Sequence, residues 1–394
     1  MSNSQDFLSG SERVLIIQLS AIGDVLRAGS VVSTLRRIHP KVEIGMVVFS
    51  DYREVLAGIA GLSRRHVFPN LDLKRGLQES RTEGEAVKAV YESAYLPMEE
   101  IQRSEYELAV NFHFSPVSVY VSVLSAARRV LGMAMHPTGH RDVFGAEARL
   151  LHQDLSSPDR RRRSTEHLAI RYHRMLALPT DDVHLSFTLD AAAALPDESW
   201  QERLPGPRPH VDAPTGRRVA VHVGAGWLDK CWPADRWLDL MWRMHRERQC
   251  TPVLLGTIIE RDRNWGGILR RMEFPWVDGC GLSFQESAAL LRGCDLFVGA
   301  DSGPMHLASA LGVPSVALFG PTCSAESYPL DGRNAVIQRD RLDEISVDEV
   351  WEAVEVVSRF KPIPLPRWRD VSTRAGMMLY ENPPGGVLPH LNVA

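Results

Sequence analysis

Val298-Gly299-Ala300-Asp301-Ser302-Gly303-Pro304-Met305-His306-Leu307-Ala308 has the pattern of a strand that turns tightly into a helix. The apolar run Leu296–Val298 predicts a buried strand, and Met305–Leu311 predicts a helix. A helix start exposes backbone N–H groups without intrahelical partners and carries partial positive charge, so it suits an anion. Gly303 lets backbone approach a phosphate closely, and Pro304 fits the first helical turn. Ser302 stands where a side chain caps the helix, and its hydroxyl can also donate to a ligand. His306, one turn further on, reads either as a packed or capping histidine or as a phosphate contact. Capped strand-to-helix turns are common in α/β proteins, so the stretch points to a pyrophosphate seat only in company with other features.

The same alternation extends outward in both directions. Apolar runs predict strands at Val14–Leu19, Ile44–Phe49, Leu108–Phe112, Val219–Val223, Pro252–Leu255 and Ser315–Phe319. Between them, Ile22–Ile38, Ala234–Arg248 and Ser283–Arg292 carry apolar residues at helical spacing. Strands alternating with helices predict parallel sheets covered by helices on both faces. A chain of 394 residues exceeds one ordinary core, so two domains are expected. The Pro-rich polar stretch within residues 191–217 reads as a linker. It separates a first domain at 1–190 from a second at 218–361, and a tail at 362–394 carries six prolines that rule out a long helix. Each half opens alike, with Arg13–Leu19 (RVLIIQL) and Arg218–Gly224 (RVAVHVG) leading into a small-residue loop and a long helix. Two such open α/β domains leave a cleft at the carboxyl ends of their strands, where ligands bind.

Composition narrows the function classes. A formal charge of −4 gives no basic field for nucleic acid. The five cysteines are scattered without a CxxC pair, which argues against a zinc knuckle or a disulfide framework and fits a reducing cytosol. No basic-then-apolar leader opens the chain and no apolar stretch reaches the length of a membrane span, so a cytoplasmic location is expected, with peripheral membrane contact left open. The run Arg160–Arg163 reads first as a solvated charge patch and second as a face for an anionic acceptor. No DxD, HExxH, GxSxG, GxGxxG or P-loop motif is present, so no metal ligands are assigned.

Two further constellations share the chemistry of the opening stretch. In Leu19-Ser20-Ala21-Ile22-Gly23-Asp24, Asp24 falls in the first turn of a helix. An aspartate there stabilises the helix dipole, which is the plainer reading; the functional one makes it a general base at the cleft. In Gly224-Ala225-Gly226-Trp227-Leu228-Asp229-Lys230-Cys231-Trp232-Pro233, the glycines Gly224 and Gly226 permit close ligand approach, and Lys230 can meet a phosphate as a point charge. Any single loop lysine also reads simply as a surface group. A second strand-to-turn segment, Phe319-Gly320-Pro321-Thr322, ends at the same sheet edge.

Taken in order across residues 13–325, these motifs resemble glycosyltransferase family 9, the ADP-heptose:lipopolysaccharide heptosyltransferases. Ser20–Asp24 is similar to its opening loop, Gly224–Pro233 to its Lys-x-Trp-Pro loop, and Asp301–Ala308 to its Asp-Ser/Thr-Gly-x-x-His-Leu-Ala signature. The resemblance implies a GT-B architecture of two Rossmann-like doubly wound domains facing a cleft. It implies inverting, metal-independent transfer of a heptose-type sugar from an ADP-sugar to a lipopolysaccharide-core or related glycan or glycolipid acceptor, with no cofactor. By that resemblance Asp24 is the catalytic base, Lys230 the donor-phosphate lysine, Glu260 the acid that holds the donor ribose, and Asp301, Ser302, Gly303, Pro304, Met305 and His306 the pyrophosphate seat. The chain departs from the family where Arg27-Ala28-Gly29-Ser30 lacks a proline, and in its Pro-rich tail. Two other readings stay in play: a GT-B sugar-nucleotide epimerase, and a non-catalytic nucleotide-binding scaffold of envelope assembly. A lipid-linked acceptor would place the protein at the inner face of the membrane.

Overall fold

The computed structural model describes residues 12–70, 75, 78–82, 84–85, 88, 91–135, 141–155, 166–190, 217–222, 224, 228–265, 269–359 and 377–381. Of the expected linker only residue 217 is described; Gly226, Arg160–Arg163 and most of the tail also lie outside these residues. The chain divides into two compact units, one of residues 1–158 and 168–183, the other of residues 159–167 and 184–394.

The first unit holds strands β1 (Arg13–Ile17), β2 (Glu43–Phe49), β3 (Arg64–Phe68), β4 (Leu108–Asn111), β5 (Arg129–Met135) and β6 (Arg141–Phe144) in the order β3-β2-β1-β4-β5-β6. Pairing is parallel throughout except between β5 and β6. Val14, Leu15, Ile16 and Ile17 of β1 are wholly buried, as a central strand covered on both faces requires. Strand order reverses between β1 and β4, so the turns leaving these two strands meet at a topological switch point. The helices are α1 (Ile22–Ile38), α2 (Arg53–Ala57), α3 (Leu96–Arg103), α4 (Pro116–Leu124), α5 (Ala146–Leu155) and α6 (Leu168–Met175).

Helix α4 buries serines beside Val119 and Val121. Ser118, Ser122 and the following Ser125 are buried, and the Asn111 amide donates to Ser118 and Ser122 hydroxyls at 3.0 and 3.1 Å. Val117, Tyr120, Val123 and Leu124 face outward and are exposed.

A buried histidine makes this unit sensitive to acid. His173 Nδ1 donates to the Ala169 carbonyl at 2.8 Å, which leaves Nε2 to accept from the Thr34 hydroxyl at 3.0 Å. Burial pushes its pKa down to about 4, so the fold keeps the neutral ring. The unfolded chain therefore binds more protons than the native one below the ordinary histidine pKa. Native stability is full near neutrality and falls as pH drops toward 4. We expect a loss of about 2 kcal/mol between about pH 7.5 and pH 5 in denaturant titrations, and a smaller one in His173→Gln. Equal pH slopes in the two proteins would remove His173 as the cause.

The second unit holds β7 (Arg218–His222), β8 (Thr251–Gly256), β9 (Val277–Cys280), β10 (Leu296–Ala300), β11 (Ser315–Phe319), β12 (Arg333–Gln338) and β13 (Met377–Glu381), ordered β13-β12-β11-β10-β7-β8-β9. Only the β12–β13 pair is antiparallel. The Pro-rich tail thus contributes an edge strand at Met377–Glu381, a role its composition hid. Helices α7 (Ala234–Arg248), α8 (Ile258–Trp265), α9 (Phe284–Arg292), α10 (Gly303–Ala310), α11 (Ser324–Ser327) and α12 (Val347–Arg359) accompany the strands. Trp237, Met241, Leu254, Val298, Leu318, Ile337 and Trp351 belong to one buried core. Trp232 meets Trp237 edge-on at 4.9 Å, and its indole N–H donates to the Ile345 carbonyl at 2.9 Å, which seats the loop before α7. The chain returns to this unit at His184: the Leu185 N–H donates to Asp331 at 2.6 Å, and Phe187 packs edge-on against Phe284. The switch point here lies between β7 and β10, so the turns bearing Gly224 and Asp301–Ser302 leave neighbouring strands.

Candidate active site

In the second unit the sequence motifs converge. A single helical turn, Leu228–Lys230, follows β7 and carries Lys230, whose Nζ lies 2.7 Å from Asp301 Oδ2. Both side chains are largely buried, at 18% and 11% exposure. Burial alone would raise the Asp301 carboxyl. His306, whose Nε2 is 3.8 Å from Oδ1, and the Lys230 charge outweigh it and hold the carboxyl well below the usual carboxylate range. Asp301 is therefore an anion that anchors Lys230 at the mouth of α10.

The start of α10 differs from expectation in one respect. Ser302 occupies the N-cap position, but its side chain makes no capping bond. Its hydroxyl instead donates to the Ala300 carbonyl at 3.0 Å and lies 3.1 Å from His222 Nδ1. Gly303 and Pro304 open the helix, with Met305 and His306 N–H groups bonding back to the Ser302 carbonyl. The Met305 and His306 side chains are buried, so at this edge Met305 offers only backbone.

Glu260 lies in the first turn of α8, beyond β8. Its Oε2 accepts from the Thr257 N–H and hydroxyl at 2.8 and 2.9 Å. A Cβ on Gly224 would stand 2.7 Å from the Glu260 carboxyl, and one on Gly256 would stand 3.2 Å from Oε2 at a φ of +143°. A side chain at position 224 would displace the Glu260 carboxyl, and Gly256 has a backbone angle that side chains rarely adopt. Lys230, Asp301, Ser302, Gly224 and Glu260 thus share the carboxyl edge of β7, β8 and β10. His222, the last residue of β7, is in the same cluster and went unread in sequence because it sits inside an apolar strand pattern. A lone polar residue at a strand's carboxyl end, just before a glycine loop, is the signal that could have found it.

In the first unit, Asp24 lies in the first turn of α1, after β1. Its Oδ2 accepts from the Ala21 N–H at 3.3 Å, and Oδ1 accepts from Arg27 Nη2 at 2.7 Å. The guanidinium is 7% exposed, while the carboxylate keeps 32%. Burial lowers the His113 pKa and the Asp24 charge opposes that shift. Asp24 thus stabilises its helix start and remains open to solvent. Among the described residues, no group of three or more His, Cys, Asp or Glu side chains is placed to hold a metal ion.

Two parallel-sheet doubly wound α/β units are the architecture of the GT-B fold. The chain belongs to glycosyltransferase family 9 (heptosyltransferase), which its residues 135–350 match. It is 33% identical to lipopolysaccharide heptosyltransferase 1 of Pseudomonas aeruginosa over 116 residues, which span 28% of this chain and about a third (31%) of that protein. It is 23% identical to lipopolysaccharide heptosyltransferase 1 of Campylobacter coli over 79% of this chain and 85% of that one. The fold matches the E. coli ADP-heptose lps heptosyltransferase II with a TM-score of 0.63 at 18% identity, covering 88% of this chain and 98% of that structure.

Proposed function

We propose that this glycosyltransferase moves a heptose-type sugar from an ADP-sugar to a lipopolysaccharide-core or related glycan acceptor, with inversion and without a metal. The carrying observation is the gathering of Lys230, Asp301, Ser302 and Glu260 at one strand edge of the second unit. As the bond between the anomeric carbon and the diphosphate breaks, negative charge grows on the leaving phosphate. Lys230 and the Gly303 N–H at the start of α10 meet that charge. Glu260 accepts from the ribose hydroxyls of the donor. The acceptor oxygen attacks the anomeric carbon from the opposite face and gives its proton to Asp24. Arg27 Nη2 pairs with that carboxylate at 2.7 Å and holds it in place.

The test is a donor screen that scores nucleotide release with and without lipid A–core fragments. ADP release that requires the acceptor, survives EDTA and yields the opposite anomer supports the proposal. Conversion of the sugar nucleotide without acceptor would make the protein an epimerase. ADP binding without turnover would make it a scaffold.

We further propose that the protein works in the cytoplasm and meets its lipid-borne acceptor by peripheral contact with the inner face of the membrane. No helix among the described residues is long and apolar enough to cross a membrane. The outward face of α4 offers Val117, Tyr120, Val123 and Leu124 to an apolar phase, and exposed Arg128 and Arg129 follow it, suited to anionic headgroups. Tyr120→Asp is expected to weaken co-flotation with anionic vesicles about tenfold while ADP binding is unchanged. Unaltered flotation of this variant would exclude the face.

A further inference from the structure

We propose that Gln18 and His113 are positioning residues for Asp24: together they hold the peptide group that joins Ser20 to Ala21, and that peptide group holds the Asp24 carboxylate. The inference rests on the reading of Asp24 as the base.

The Ser20 carbonyl and the Ala21 N–H belong to one peptide unit, and both of its ends are bonded. At the carbonyl end, the Gln18 side-chain amide donates to the Ser20 oxygen at 2.5 Å. His113 stands beside the same pair, with Nδ1 3.4 Å from Gln18 Nε2. A carbonyl oxygen carries two lone pairs, and the Ser20 carbonyl also accepts from the His113 ring. At the N–H end, Ala21 donates to Asp24 Oδ2 at 3.3 Å, while Arg27 donates to Oδ1 at 2.7 Å. Donors on both oxygens fix the plane of the carboxylate as well as its place. A bond accepted at one end of an amide polarises it and strengthens donation at the other.

Both side chains are themselves anchored. Gln18 follows β1 directly and is 2% exposed. Buried amides ordinarily satisfy both of their polar atoms, yet Gln18 Oε1 has no hydrogen-bond partner among the described residues. Turning the amide over would set two oxygens 2.5 Å apart, so the Ser20 carbonyl dictates its orientation. His113 follows β4, across the switch point from the turn that carries Asp24. Its N–H donates to Asn111 Oδ1 at 3.0 Å, and its ring meets Phe49 edge-on at 6.1 Å. Phe112, just before it, stacks on Tyr172 at 4.2 Å. Burial keeps the His113 ring neutral against the opposing pull of Asp24 and of the Ser20 carbonyl. The turn after β1 is thus braced from a neighbouring strand of the same sheet.

Transfer from ADP-heptose to lipid A–core fragments by the full chain, with calorimetry of ADP binding beside it, tests this. Gln18→Leu is expected to lower kcat about 10- to 100-fold, the scale of a misplaced catalytic group, with ADP affinity within about twofold. His113→Phe keeps the packing on Phe49 and removes the ring nitrogens. It is expected to lower kcat about five- to tenfold, the scale of one hydrogen bond, and decides the matter if Gln18→Leu does not fold. In an Asp24→Asn background, single-turnover assays are expected to show no further loss from either change, because no base remains to be positioned. A general loosening of the first unit would lower turnover in both backgrounds alike. Full kcat in both variants, or an undiminished loss in the Asp24→Asn background, would overturn the proposal. Urea unfolding adds a readout that needs no turnover. Gln18→Leu and Asp24→Ala act on opposite ends of one peptide group, so their effects on stability are expected to be non-additive, and additive effects would count against the bracing. If Asp24→Asn turns over normally, or the unaltered protein transfers nothing, the base reading itself fails; that outcome is separate, because the coupling in urea is then still measured.

Discussion

Asp24→Asn is expected to lower kcat about 10³-fold while ADP affinity stays within about twofold, because the residue serves the acceptor proton and not the donor. Asparagine keeps the acceptor that the Ala21 N–H uses, so the start of α1 is preserved. It removes the charge that Arg27 pairs with at 2.7 Å, and the guanidinium is almost fully buried. Some loss of stability is therefore expected, since a buried cation loses its counter-charge. The two roles separate by measurement. A structural role lowers the fraction of folded protein and leaves the kcat of the folded fraction intact. A catalytic role lowers kcat at unchanged folded fraction, as monitored by active-site titration with ADP. Arg27→Lys adds a second line of evidence: it keeps the charge but not the guanidinium geometry, so an orientation role for Arg27 predicts a partial loss of kcat. Near-normal turnover in Asp24→Asn would remove Asp24 from the base role.

What could be read in the chain follows the physics of burial. Central strands such as Val14–Ile17 and Ser315–Phe319 are covered on both faces, so they appear as unbroken apolar runs. The helices Ile22–Ile38 and Ala234–Arg248 show in their spacing because one face packs and the other is wet. Edge strands hide. β3 begins with two exposed arginines, and β13 lies in a segment whose prolines point away from regular structure. Lys230, Asp301 and Ser302 stand out in the chain because each lies in a short glycine-bearing loop after an apolar run; that these loops leave adjacent strands of a parallel sheet is seen only in the fold. The Ser302 cap was misread because a residue 80 positions away, on another strand, takes the hydroxyl. A local rule cannot weigh such a long-range bond. Helix α4 departs from the usual pattern for a similar reason: Asn111, on β4, supplies a polar partner that makes inward serines favourable beside the buried Val119 and Val121.

Lys230→Met is expected to reduce kcat/KM about 10²- to 10³-fold, the scale seen when one preorganised donor to a developing charge is lost. The change also strands Asp301. Its carboxylate is nearly buried, and Lys230 is one of the two groups that hold it ionised against burial. Breaking such a pair from one side costs about 3 kcal/mol, so the variant is expected to melt earlier as well as turn over slowly. Acid sensitivity gives the sign of the coupling. A carboxylate with a depressed native pKa stabilises the fold above the ordinary carboxylate range, and that contribution is lost as pH falls through the native pKa. Without Lys230 the Asp301 pKa rises toward its ordinary value, so acid unfolding is expected to begin at higher pH. The double variant Lys230→Met with Asp301→Asn separates structure from chemistry. Removing both charges relieves the stranded carboxylate and is expected to recover most of the lost stability. Turnover is expected to stay low, because the lysine that meets the charge on the departing diphosphate is gone and the helix start alone does not replace it. If stability and turnover recover together, Lys230 serves only to neutralise Asp301, and the donor phosphate must be held by other groups.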